Sequence, residues 1–320
     1  MNITVAGAGA FGTGLAIALA RTGRVTLWGR NPDQMAELQT TRENARHLPN
    51  CRLPNALQPT ADTACFETVE LVLLCIPTQQ ITSFLRANAA ALADRSIIAC
   101  CKGIDLATGK GPADVIQNEL PQAKVALLTG PSFAIDIAQG LPTALTLACL
   151  DPETAENLQR ALTRPTLRIY RTTDVSGAQL GGALKNVMAI AAGATMGSGL
   201  GESARAAVIT RGYAEMQKFA ANRGADPETM MGLSGLGDLV LTCTSETSRN
   251  YSYGLALGKG EPFDPSKTVE GAHTAKAVAA LAAGEGIDMP ICVAVDDLVQ
   301  GRANVSEVLR VLLSRPLKEE

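Results

Sequence analysis

Six short runs of nearly unbroken apolar residues constrain this chain most: NITVAG (2–7), RVTLWG (24–29), ELVLLCIP (70–77), SIIACCKG (96–103), KVALLTGP (124–131) and TALTLACL (143–150). A strand with one wet face alternates apolar and polar residues. Continuous apolarity instead belongs to strands covered on both faces, as in a parallel sheet. The segments between them, such as GTGLAIALART and PADVIQNEL, carry apolar residues at helical spacing. Alternation of this kind predicts an open, doubly wound α/β sheet.

After about Thr172 the strands stop. AQLGGALKNVMAIAAGATMGSG, ESARAAVITRGYAEMQKFAANRGA and EGAHTAKAVAALAAGEG read as long helices, each closed by a glycine or opened by a Ser or Glu. DPETAENLQRALT is an earlier helix, opened by Asp151 with Pro152 in its first turn. A boundary near Tyr170 to Val175 divides the chain into an α/β unit, 1–172, and an all-α unit, 173–320, with a cleft between them. A length of 320 residues fits two domains.

Composition narrows the function classes. The chain is 46% hydrophobic and 18% charged, which excludes a disordered protein. A net charge of −3 and 3% aromatics give no basic surface and no stacking platform, so nucleic acid is not an expected partner. Among eight cysteines there is no CxxC and no Cys/His ligand spacing. Cys75, Cys100, Cys101 and Cys149 lie in or beside apolar runs, as small hydrophobes do, so neither a disulfide framework nor a metal site is expected. The apolar stretch 187–197 is shorter than the roughly 20 residues of a membrane span. Met1 to Ala6 reads as a strand rather than a signal peptide, and the expected setting is cytoplasmic and reducing.

VAGAGAFGTGLA places Gly7, Gly9 and Gly12 in G-x-G-x-x-G between a strand and a helix. Gly7 permits the tight turn, Gly9 lets the backbone approach a pyrophosphate, and Gly12 permits close helix–strand packing. The helix N-terminus then offers free N–H groups to the phosphates. The second strand ends WGRNPD, with Arg30 where an NAD site usually carries an acid. A guanidinium there suits a 2′-phosphate, or is simply a solvated residue at a strand end. The expectation is NADP(H) preferred, with NAD(H) tolerated.

Hydride exchange with a carbonyl needs a side chain that hands a proton to the oxygen. The two histidines, His47 and His273, have no recognisable partner and read as surface or loop residues. Lysines are better placed. Lys102 follows the strand SIIACC at the carboxyl edge of the sheet, where doubly wound folds bind ligands. Lys185 lies within GGALKNVMAIAAG, where a lysine either snorkels outward or serves a purpose. Burial beside Lys102 would lower its pKa toward the working range of an acid–base group.

A third cluster is SGLGDLVLTCTSETSRN, in which Asp238 is a helix-start acid or a site residue. Ser248, Arg249 and Asn250 offer a hydroxyl, a guanidinium and an amide that could hold a phosphate or cap a helix. GPSF (130–133) is a second candidate phosphate seat, with Gly130 at the turn and Ser132 facing a new helix.

GAGAFGTGLA, WGR, CKG, TGPSFA, LPTA, QLGGALKNVMAIAAG, ARAAVITRG, GLSGLGDLVLTCTSETSRN, TVEG and MPI together resemble the bacterial NAD(P)-dependent glycerol-3-phosphate dehydrogenases, over essentially the whole length. The resemblance implies an N-terminal Rossmann domain and a helical domain for substrate and catalysis. It implies reversible hydride exchange between NAD(P)H and dihydroxyacetone phosphate, giving sn-glycerol 3-phosphate for glycerophospholipid synthesis. Lys185 would then be the proton donor or acceptor. Lys102, Gly130, Ser132, Asp238, Ser248, Arg249 and Asn250 would contact the substrate. Ala10, Phe11, Arg30, Lys102, Ala134, Arg249, Thr268 and Glu270 would contact the cofactor beside the fingerprint glycines. Asp238 would hold the substrate hydroxyl or orient Lys185. A homodimer restrained by its product is also implied.

The chain departs from that pattern in places. Gln79 stands where histidine is frequent, Cys101 where threonine is usual and Thr268 where valine is common, and the stretch from Lys259 to Lys267 is short. A related β-hydroxyacid dehydrogenase, also a Rossmann domain joined to helices, is the alternative. Preference for a phosphorylated ketone over a carboxylate would separate the two.

Overall fold

The computed structural model describes residues 1–265 and 267–316; Ser266, within the short Lys259–Lys267 stretch, and residues 317–320 lie outside the described residues. The strands are β1 (Ile3–Ala6), β2 (Val25–Trp28), β3 (Glu43–Asn44), β4 (Leu48–Arg52), β5 (Leu57–Thr60), β6 (Leu71–Leu74), β7 (Ser96–Ala99), β8 (Lys124–Thr129), β9 (Thr143–Ala148) and β10 (Leu167–Thr172). The six apolar runs form β1, β2, β6, β7, β8 and β9. Their side chains divide strictly between two covered faces. Val5, Leu27, Leu73, Ile98, Leu128 and Leu145 enter one core. Ala6, Val72, Leu74, Ile97, Ala99 and Leu127 enter the other.

The eight-stranded sheet has the order β10-β9-β8-β7-β6-β1-β2-β5. Two of its strands, β5 and β10, are not among the six apolar runs, because both are edges. β5 (LQPT) carries Pro59, which an edge strand tolerates because no further partner needs its missing N–H. β10 alternates, with Leu167 and Ile169 buried and Arg168 and Tyr170 exposed. One pairing corrects the wholly parallel expectation: β9 runs antiparallel to β8, while every other neighbouring pair is parallel. The short helix Ala134–Gln139 between them packs on the helix Ala10–Ala20, so the chain returns beside β8 without a full crossover. β3 and β4 form a separate antiparallel hairpin.

Beyond Thr172 the chain enters a 23-residue helix, Val175–Gly197, whose N-terminus is capped by the Asp174 side chain accepting from the Gly177 N–H. It is buried nearly throughout. Helices Glu202–Asn222, Asp238–Cys243, Arg249–Lys259, Glu270–Gly284 and Pro290–Val299 surround it. Against Arg249–Lys259 the contact is backbone to backbone. A Cβ on Gly193 would lie 2.1 Å from the Tyr251 carbonyl oxygen, and one on Gly254 would lie 2.1 Å from that of Ile190. All eight cysteines are free thiols. Among the described residues, no helix is long and apolar enough to cross a membrane, and no cluster of His, Cys, Asp and Glu has metal-binding proximity.

Candidate active site

The loop leaving β1 makes different demands on its three glycines. Gly7 has φ +122°, and a Cβ there would lie 2.4 Å from the Cys75 carbonyl oxygen. A Cβ on Gly12 would lie 2.0 Å from the Gly7 carbonyl oxygen. These two positions are explained by the protein's own packing. Gly9 is not, since a Cβ there meets nothing within 4 Å. Its open face stands at the start of the helix Ala10–Ala20, which has no side-chain cap. Open space beside uncapped N–H groups fits a dinucleotide pyrophosphate. Ala10 and Phe11, in the first turn, are half-buried.

At the end of β2, Arg30 is exposed and its guanidinium donates to the Gln80 side chain at 3.4 Å. Asn31 is committed elsewhere. It caps the helix Pro32–Thr41, accepting from the Asp33 and Gln34 N–H groups at 3.0 and 3.1 Å. Ala134 opens the helix Ala134–Gln139, and its carbonyl lies against Gly14. Thr268 is exposed. Glu270 opens its helix half-buried, and burial pushes its carboxyl up to about 7 against the opposing pull of Arg249.

Two lysines meet on one carboxylate. Lys102, three residues past β7, donates to the Gly130 carbonyl at 3.2 Å and to Asp238 Oδ2. Lys185 does not snorkel. It is 7% exposed, and its Nζ sits 3.0 Å from Asp238 Oδ1 and 2.6 Å from Thr242 Oγ1, to which it donates. Asp238 is 1% exposed and opens a helix after one π-helical turn, Leu233–Gly237. Burial opposes the charge on Asp238, but the two ammonium groups outweigh it and hold the carboxyl below its ordinary value. Burial pushes Lys185 down to about 8, with Asp238 resisting the fall and Lys102 adding to it.

The remaining sequence candidates divide in role. Gly130 has φ +131°, a conformation that favours glycine at the β8 exit. Ser132 does not cap the helix it precedes; its hydroxyl donates to the Gly130 carbonyl at 3.3 Å, and the position before the helix is held by Phe133. Ser248 is a cap, accepting the Tyr251 N–H at 3.3 Å, and leaves Arg249 exposed on the first helical residue. The Asn250 amide is engaged at both ends, donating to Asn186 Oδ1 and accepting from the Gly271 N–H, each at 2.9 Å.

Sequence reading missed several participants. Thr242 donates to Asp238 Oδ1 at 3.3 Å while accepting from Lys185; its signal was the i+4 spacing from Asp238 on one helix. Asn186, next to Lys185, joins the central helix to Asn250. Gln79, by contrast, was already singled out by standing where histidine is frequent; its amide secures the loop after Lys102, donating to the Ile104 carbonyl at 2.8 Å and accepting from Leu106 N–H at 3.0 Å. His47 is exposed on the β3–β4 turn, where partial burial, then Arg46 and Arg249, lower its pKa. Its electrostatic neighbour is therefore a candidate site residue. His273 is exposed on the helix Glu270–Gly284.

Comparison with known proteins agrees along the whole chain. Residues 2–155 match the model of the NAD-dependent glycerol-3-phosphate dehydrogenase N-terminus, and residues 174–310 match that of the C-terminus. Over 320 residues, all of both chains, the sequence is 57% identical to glycerol-3-phosphate dehydrogenase [NAD(P)+] of Ruegeria sp. (strain TM1040). It is 58% identical, again end to end, to that of Paracoccus denitrificans (strain Pd 1222). The crystal structure of glycerol-3-phosphate dehydrogenase from Coxiella burnetii superposes with a TM-score of 0.93 at 36% identity, covering 98% of this chain and 99% of that one. On sequence, on both halves of the fold and over its full length, this chain belongs to the NAD-dependent glycerol-3-phosphate dehydrogenase family.

Proposed function

We propose that this chain interconverts dihydroxyacetone phosphate and sn-glycerol 3-phosphate with NADP(H) or NAD(H), with Lys185 as the acid–base group. The observation that carries the reading is the buried Lys185–Asp238 pair, joined by the partly buried Lys102 at the carboxyl edge of the sheet. A lysine pushed down to about 8 can give and take a proton near neutral pH, which an ordinary lysine cannot.

The glycine loop and the N–H groups of the first helical turn hold the dinucleotide phosphates, and Arg30 holds a 2′-phosphate where one is present. The bound nicotinamide supplies or accepts the hydride. In reduction, the Lys185 ammonium donates its proton to the ketone oxygen as negative charge develops there. Asp238 keeps that ammonium charged until transfer, and Thr242 fixes its direction. Lys102 supplies a second positive charge between cofactor and substrate. Arg249 and the helix N-terminus at Ser248 bind the substrate phosphate. In oxidation, neutral Lys185 takes the hydroxyl proton. The product suits glycerophospholipid synthesis.

We also propose a cytoplasmic homodimer. Eight free thiols fit a reducing compartment. The helix Val305–Leu313 has a complete capping box, yet none of its residues is buried, and Val311 and Leu313 are exposed at 58% and 76%. The primary test is oxidation of NADPH, then NADH, by purified protein with dihydroxyacetone phosphate. Turnover should require the phosphate and vanish with unphosphorylated dihydroxyacetone. Turnover with a 2-keto acid instead would replace this reading with the hydroxyacid one.

A further inference from the structure

The glycine loop has a buried contact that the fingerprint does not include. Asn44 ends β3 in the hairpin outside the main sheet and is 1% exposed. Its Nδ2 donates both hydrogens, one to the Ala8 carbonyl at 2.9 Å and one to Thr13 Oγ1 at 2.7 Å. The Ala8 carbonyl can only accept, so the orientation of the amide is not ambiguous. Ala8 lies between Gly7 and Gly9, and Thr13 follows Gly12. One side chain therefore bridges the turn and the first helix on either side of Gly9.

We propose that Asn44 is a positioning residue for the dinucleotide, because it locks the peptide plane between Ala8 and Gly9. In a trans peptide the carbonyl of one residue and the N–H of the next share a plane and point in opposite directions. Holding the Ala8 carbonyl toward Asn44 aims the Gly9 N–H away from it. Rotation of that plane turns ψ of Ala8 and φ of Gly9, and Gly9, which has no Cβ, resists it little. Rotation would turn the carbonyl oxygen outward, where it repels a phosphate. The loop is otherwise tied by the Gly7 N–H to the Trp28 carbonyl at 2.8 Å and the Thr13 N–H to the Gly9 carbonyl at 2.9 Å, and neither bond fixes that plane. The β3–β4 hairpin thereby belongs to the cofactor site through an anchor, without Asn44 touching the ligand.

This inference rests on the proposed dinucleotide role of the glycine loop, and one experiment separates the two. NADPH and NADH affinities are measured by titration for the full-length wild type, Asn44→Leu, Thr13→Val and the double variant, alongside kcat at saturating cofactor and thermal melting. Leu matches the size of Asn without its donors, and Val matches Thr without its hydroxyl. Asn44→Leu should weaken both cofactors by the same factor, about tenfold, equivalent to about 1.4 kcal/mol. Its kcat should stay within about twofold and the KM for dihydroxyacetone phosphate should not change. Thr13→Val should cost less alone and nothing further in the Asn44→Leu background. A lowered melting temperature with wild-type cofactor affinity would reduce Asn44 to a structural residue and overturn the inference. So would additive losses in the double variant. A wild type that binds neither cofactor would overturn the underlying reading and the inference with it.

Discussion

Asp238→Asn keeps the shape of the shared carboxylate and removes its charge. Asp238 Oδ1 lies 3.0 Å from Lys185 Nζ. At an effective dielectric of about 20, unit charges so placed attract by about 5 kcal/mol. Rearrangement of the site and the residual amide dipole weaken the loss, and half of it still amounts to about two pKa units. Lys185 is pushed down to about 8 by burial with Asp238 resisting and Lys102 assisting. Without Asp238, burial and Lys102 act unopposed, and the midpoint drops by about two units or more. Ketone reduction requires the protonated lysine, so its rate falls as pH rises through that midpoint. The wild type should lose reduction above about 8, and the variant should lose it from a point about two units lower. At neutral pH the variant should be slower by about tenfold, recovering in acid. The assay is kcat for NADPH oxidation against pH, with saturating dihydroxyacetone phosphate and a melting curve at each pH. A uniformly depressed profile with an unshifted midpoint would refute the argument that Asp238 holds the Lys185 proton.

Lys185→Met should retain NADPH affinity and lose about 10²–10⁴ in kcat, checked by titration and turnover on the same preparation. Arg30→Asp should raise the KM for NADPH by more than about tenfold while leaving that for NADH within about threefold, since only one cofactor carries the 2′-phosphate. Equal losses would show that Arg30 does not read that group. Glu215, buried on the helix Glu202–Asn222, accepts the Ile291 and Cys292 N–H groups at 2.7 and 3.2 Å. Burial pushes its carboxyl up to about 7 despite those bonds, with Asp288 adding to the rise and Arg315 opposing it. Because the folded pKa is raised, the folded state holds a proton that the unfolded chain releases, and stability falls as pH rises from about 4.5 to about 7. Glu215→Gln should remove about 3 kcal/mol of that dependence, read as melting temperatures across the same window.

What the sequence made legible follows from what was local. Strands covered on both faces wrote their burial into unbroken apolar runs, and Gly7, Gly9 and Gly12 stood adjacent in one turn. β5 and β10 did not show because an edge strand needs neither two apolar faces nor a full set of N–H donors, as Pro59 and exposed Arg168 illustrate. The direction of β9 is set by where the helix Ala134–Gln139 packs, which apolarity cannot encode. The burial of Lys185 was signalled by the glycine and alanine around it, but its sharing of Asp238 with Lys102 depends on three separate elements meeting. Asn44 lies in the polar stretch RENARHLPN and finds its partners more than thirty residues away. No pattern in that stretch distinguishes it from a solvated amide.

The glycine contacts between the helices Val175–Gly197 and Arg249–Lys259 have a consequence for which substrates the proposed site can measure. One helix carries Lys185 and the other begins at Arg249, so on the proposed roles their separation gauges the span from carbonyl to phosphate. Two backbones in contact at Gly193 and Gly254 set that gauge, and no side chain smaller than glycine exists. Substitution at these positions can only push the helices apart. Drift there is one-directional, toward longer molecules and never toward shorter ones.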